Sequence, residues 1–183
     1  MLFRSGPNKC TVPQITEFKT KCLGSGATGC DAFIDTNKDC SRCIFGALKG
    51  DTPDTTPIPA LLPVSDKSVT LNVQACAALA IGKPECAVPL AQELVCVESA
   101  CSTCTVAADA TKCNQEAAAD ICKDVVAAAK ACNTAITAAR AQWTPICTEG
   151  TTFETTYPKL VNYLCGTGGP SVDGGSTDAG GGG

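Results

Sequence analysis

Between Pro84 and Trp143 the cysteines are spaced as though two helices ran antiparallel and were bridged to each other. Facing positions in such a hairpin have residue numbers that add to a nearly constant sum. Cys86 with Cys132 and Cys96 with Cys122 each add to 218, and Cys104 with Cys113 add to 217. The two arms read PECAVPLAQELVCVESACSTC and CNQEAAADICKDVVAAAKACNTAITAARAQW. The fold expected is mainly α: a disulfide-rich helical bundle built on a long antiparallel helical hairpin, with at most a short β-hairpin. A step of ten residues is not a whole number of helical turns, so successive cysteines of one arm do not share a face. The hairpin must coil, kink at Pro89 or offset its pairs.

Cross-linking is what a chain of this composition needs. Of 183 residues only eight are aromatic and one is Met, while 15 are Cys, so covalent bridges stand in for a bulky core. Bridges on this scale require an oxidising compartment, and the expected location is secreted or cell surface. The first residues, MLFRSGPNKC, lack the apolar run of a signal peptide, which places any secretion signal outside this sequence. No stretch approaches the roughly 20 apolar residues of a membrane span. The formal charge is -4, and the 14 Lys and Arg are scattered, which argues against a nucleic-acid partner and against a polybasic membrane patch.

Four regions are expected: a small cysteine-rich helical unit over 1–50, a Pro/Thr-rich connector over 51–64, a disulfide-linked helical domain over 65–166, and a disordered Gly/Ser/Asp tail over 167–183. In the first, Thr11 reads as a helix cap, with Pro13 in the first turn, Ile15, Phe18 and Cys22 at helical spacing, and Gly24 as the stop. Val69, Leu71 and Val73 alternate as a short strand would, pairing near Ile44 and Phe45. Asn72 reads as the cap of a helix over VQACAALAIG. The second hairpin arm carries an apolar stripe of Ile121, Val125, Ala128, Cys132, Ile136, Ala139 and Trp143. Thr151 with Glu154 fits a capping box, and Pro158 is expected to restart a last helix ending at Gly166.

The cysteines admit other chemistry. Cys40 with Cys43 and Cys101 with Cys104 are two C-x-x-C units whose four thiolates suit a tetrahedral zinc site. Thiol redox catalysis fits less well, because Cys101 and Cys104 fall at a helix C-terminus, where the dipole disfavours thiolate. Asp35, Asn37 and Asp39 match the opening of a calcium loop, but Cys40 stands where that loop needs Gly, and Gly46 where it needs Glu. Glu116, Asp120 and Asp124, with Glu93 and Glu98 on the opposite arm, read as a solvated acidic face. With no histidine, Ser-His-Asp and Cys-His catalysis are excluded, and no nucleotide-binding fingerprint is present. The expectation is a protein without catalytic residues or cofactor.

Many cysteines on Ala-rich helices, the cluster CVESACSTC and the tail SVDGGSTDAGGGG together resemble the uncharacterised cysteine-rich secreted and surface proteins of myxobacteria. That resemblance implies an extracytoplasmic location and supplies no catalytic residue. The expected function is a non-enzymatic extracellular structural or binding protein: a rigid scaffold for protein–protein contact, or for self-assembly through the odd cysteine. The alternative is a small carrier of apolar ligands, similar in principle to helical lipid-transfer proteins.

Overall fold

The structure is a computed structural model that describes residues 8–48, 51, 58–65 and 68–167. Among these lie nine α-helices and one two-stranded antiparallel sheet. The helices are α1 (Val12–Cys22), α2 (Cys30–Thr36), α3 (Lys38–Phe45), α4 (Val73–Ala80), α5 (Ala87–Ala100), α6 (Ala107–Ala119), α7 (Lys123–Ala138), α8 (Arg140–Cys147) and α9 (Phe153–Cys165). The strands are β1 (Leu61–Ser65) and β2 (Ser68–Leu71), and a 3-10 turn over Pro84–Cys86 leads into α5. The chain is thus a disulfide-rich helical fold. Residues 1–7, most of the connector (52–57) and the tail beyond 167 lie outside the described residues.

Local sequence explains the helix starts. Thr11 Oγ1 accepts from the Gln14 amide, and the Gln14 side chain returns a bond to the Thr11 amide, which makes a capping box at α1. Asn72 caps α4 by accepting from the Ala75 amide at 3.1 Å. It is fully buried, and its Nδ2 donates to the Pro59 carbonyl at 2.9 Å, tying the helix to the segment that leads into β1. At α9 the cap is Thr152 rather than Thr151, bonded to the Thr155 amide. Pro158 does not restart that helix. It lies inside it, on the exposed side, where α9 forgoes one backbone bond.

The core is organised around α4. Cys76 and Leu79 turn toward a cluster built from Phe18, Phe33, Ile44, Leu61, Tyr157 and Leu160. Ala75, Ala77 and Ala78 turn the other way and meet Ala87, Leu90, Ala129 and Ile136 of α5 and α7. A helix apolar on every side must be buried all round, and small side chains let its neighbours approach closely. The first cluster draws on α1–α3, β1, α4, α8 and α9 together, so the connector at 51–64 does not divide two separate cores. It also contains β1. That strand, not Ile44 and Phe45, is the partner of β2, with Leu61 opposite Leu71 and Pro63 opposite Val69; Ile44 and Phe45 are helical in α3.

The two chain ends described here meet. Lys9 and Cys10 amides both donate to the Cys165 carbonyl at 2.8 Å, and Asn8 donates to Gly166 at 2.9 Å, satisfying carbonyls left open at the end of α9. Tyr157 of α9 donates its buried hydroxyl to the Ile15 carbonyl of α1 at 3.1 Å.

The expected long second arm is broken into α6, α7 and α8. A continuous helix would rotate about 180° over the nine residues from Cys113 to Cys122, pointing them to opposite sides. The break at 120–122 removes that conflict, and Cys122 is buried just before α7. Cys86 likewise precedes α5, in the 3-10 turn. The rotation between successive cysteines is therefore absorbed at helix ends. One consequence is that Ile121 is 70% exposed and Ala128 is exposed, while Ala129 and Ile136 carry the buried face. Trp143, half-buried between the two larger clusters, donates Nε1 to the Ile136 carbonyl at 2.7 Å and so closes the end of α7.

Candidate functional site

Seven disulfides use 14 of the 15 cysteines: Cys10–Cys40, Cys22–Cys30, Cys43–Cys165, Cys76–Cys147, Cys86–Cys132, Cys96–Cys122 and Cys101–Cys113. Their Cα separations run from 4.6 to 5.9 Å, within the reach of a bridge. Every helix from α1 to α9 contains at least one bridged cysteine. Cys113 pairs with Cys101, not with Cys104. The turn after α5 starts at Cys101, which packs beside Ala117 and Cys122, whereas Cys104 lies three residues further round the turn and stays reduced. Its amide donates to the Cys101 carbonyl at 3.0 Å, which holds the free thiol next to the Cys101–Cys113 bridge.

This pairing corrects the zinc reading. Cys40, Cys43 and Cys101 are oxidised to Cys10, Cys165 and Cys113, leaving Cys104 as the single thiol of that set. The calcium reading is corrected as well, because its residues do not form a loop. Asp35 is in α2 and Asp39 in α3, while the Asn37 oxygen between them accepts from Gln14 Nε2 at 2.7 Å. Asp39 is engaged by Arg42 at 3.2 Å. Among the described residues no group of three His, Cys, Asp or Glu could hold a metal ion.

The acidic residues of the hairpin region separate into two environments. Glu116, Asp120 and Asp124 are exposed, and Glu93 accepts from Asn133 Nδ2 at 2.6 Å across α5 and α7. Glu98 differs. It is half-buried at the C-terminal end of α5, in a cleft of about 430 Å³ whose walls include Thr70 of β2, Gln74 of α4, and Thr148, Phe153 and Thr156 from the α8–α9 region. Burial pushes the Glu98 carboxyl above the ordinary glutamate range, and a hydrogen bond with the Thr70 side chain partly offsets this. Burial raises a carboxyl pKa by penalising the charged form. No ion-pair partner reaches Glu98 among the described residues. Gln74 Oε1, on a side chain that also lines this cleft, is buried with no hydrogen-bond partner.

Sequence spacing could not have found this cleft. Its residues come from three separate stretches, 69–74, 94–98 and 148–156, and the one local signal, the threonine-rich run TEGTTFETT, reads equally well as a polar turn. A second, more open groove of about 780 Å³ runs along α7, lined by Val126, Ala127 and Ala138 together with Lys123, Lys130 and Asn133. No helix among the described residues is long and apolar enough to cross a membrane. No protein-family model, no curated protein and no solved structure gives a significant match to this chain.

Proposed function

We propose that this is a non-enzymatic extracytoplasmic protein whose disulfide-bridged helices form a rigid scaffold for protein contact or self-assembly. The observation that carries the reading is the distribution of the bridges: each helix is held covalently to another part of the chain. Seven bridges on one chain of 18.6 kDa match an oxidising compartment, where thiols of this number persist as disulfides. Absence of histidine from the sequence supports a non-catalytic role. The unpaired Cys104, partly accessible, supplies a covalent route to a second copy or to a partner.

The test is intact mass and sedimentation of the oxidised protein without reductant, wild type against Cys104→Ser. The scaffold reading expects a covalent species, at about twice 18.6 kDa for self-assembly, that Cys104→Ser removes. A wild-type monomer with no titratable thiol counts against it. The α7 groove favours a second reading, carriage of an apolar or amphipathic small molecule, since aliphatic side chains form part of its lining. It is an open surface groove, so this reading ranks behind the scaffold. Native mass spectrometry with no co-purified lipid argues against it.

A further inference from the structure

The Glu98 cleft presents several hydrogen-bond acceptors, and three of its threonine hydroxyls already donate elsewhere or to Glu98. Thr148 Oγ1 donates to the Thr144 carbonyl at 2.9 Å and Thr156 Oγ1 donates to the Glu149 carbonyl at 3.1 Å. The Thr70 hydroxyl is committed to the Glu98 carboxylate. Each of these hydroxyl oxygens keeps acceptor capacity, and Gln74 Oε1 is an acceptor with no partner among the described residues. Glu98 itself has no ion-pair partner among the described residues, in a chain of net charge -4. Glu98 and the Gln74 acceptor are complemented by a group that is cationic and donates several hydrogen bonds. Ammonium and guanidinium satisfy both conditions. A divalent metal fits poorly, because it needs several oxygen ligands, and no cluster of three such side chains is present among the described residues.

The apolar part of the wall decides what kind of cation fits. Val69, Leu71, Leu94 and Phe153 line the same cleft, giving a surface on which a methylene stem can lie while its charged end reaches Glu98. A volume of about 430 Å³ holds such a side chain with part of its backbone. We propose that the cleft binds a lysine or arginine side chain from an extended segment of a partner protein. The source of the cation rests on the scaffold reading, but the preference of the cleft for a cation does not.

The experiment titrates the isotope-labelled full chain, followed by amide chemical shifts, with three probes. These are a capped Gly-Gly-Arg-Gly-Gly peptide, the same peptide with neutral citrulline in place of Arg, and butylguanidinium alone. Saturable shifts at Thr70, Gln74 and Phe153 are expected with the Arg peptide. Binding is expected to weaken about tenfold or more for the citrulline peptide, and by a similar factor for Arg peptide on Glu98→Gln, as loss of a charge-assisted bond requires. Citrulline binding as tight as Arg, retained affinity in Glu98→Gln, or no saturable shift at all overturns the cationic site. Butylguanidinium binding as tightly as the peptide overturns the protein source and assigns the cleft to a free organic cation. The scaffold reading is judged separately, by the covalent self-association of Cys104, so the two can fail independently.

Discussion

Removing the Cys43–Cys165 bridge should be among the most damaging changes to this molecule, and the structure gives the size of the loss. The bridged residues are 122 positions apart, for which restricting the unfolded chain gives about 5 kcal/mol if the bridge acts alone. It does not act alone. With Cys76–Cys147 intact, the unfolded chain already has a shorter path: 33 residues from Cys43 to Cys76, the bridge, and 18 from Cys147 to Cys165. A loop of about 50 residues lowers the contribution to about 4 kcal/mol. Both cysteines are buried, at 1% and 0% exposure, so replacing them with Ala adds a cavity cost of the same sign. By the same reasoning Cys22–Cys30, only 8 apart and between half-buried residues, contributes about 2.5 kcal/mol.

The assay is urea unfolding followed by far-ultraviolet circular dichroism, in a Cys104→Ser background so that no free thiol can reshuffle the remaining bridges. Cys43→Ala/Cys165→Ala should lose about 4 kcal/mol or somewhat more, against a typical total of about 5 to 15 kcal/mol. Cys22→Ala/Cys30→Ala should lose clearly less. Equal losses in the two variants, or a greater loss for the short loop, would refute the claim that these bridges act by restricting the unfolded chain.

Two further outcomes follow from named contacts. Arg42 donates to both carboxylate oxygens of Asp51, at 2.8 and 2.7 Å, and with the Leu48 amide holds the Asp51 carboxyl down at about 2 against an ordinary 3.8. A lowered carboxyl pKa in the folded state gives stability that is full above the ordinary value and lost as pH falls toward 2; Asp51→Asn should flatten acid unfolding between about pH 4 and 2, and a wild-type acid profile in that variant would exclude Asp51 as a contributor. Tyr157→Phe removes the hydroxyl donated to Ile15 between α9 and α1 and should lower stability by about 1 kcal/mol in urea, so an unchanged midpoint would show that this buried bond contributes nothing net.

The helical character was legible because Ala-rich periodicity, Thr11 and Asn72 are local signals that tertiary contacts did not override. The sum rule locates the side-by-side run of α5 and α7, which Cys86–Cys132 and Cys96–Cys122 bridge from within the helices or from the residue just before them. It misplaces the third pair because it treats the arm as one helix, whereas the break at 120–122 lets α6 set its own direction. Nothing in local spacing could join Cys43 to Cys165 or Cys76 to Cys147, since these pairs depend on α9 and α8 returning to α3 and α4. Glu98 was hidden for a similar reason: spacing groups it with exposed acids of the hairpin, and only the packing of β2 and the α8–α9 segment over α5 encloses it.

The central claim is a covalent framework in which each of the nine described helices carries a bridge, with Cys104 as the single cysteine left unpaired within the chain. Proteolysis of the thiol-blocked, unreduced protein, followed by mass spectrometry of the linked peptides, tests it most directly. The account predicts seven bridges within the chain, including Cys43–Cys165, Cys76–Cys147 and Cys101–Cys113, with Cys104 carrying the blocking label in the monomer or an intermolecular link in a covalent assembly, and no other cysteine labelled. Label distributed over many cysteines, or Cys43 and Cys165 recovered unlinked, would contradict it.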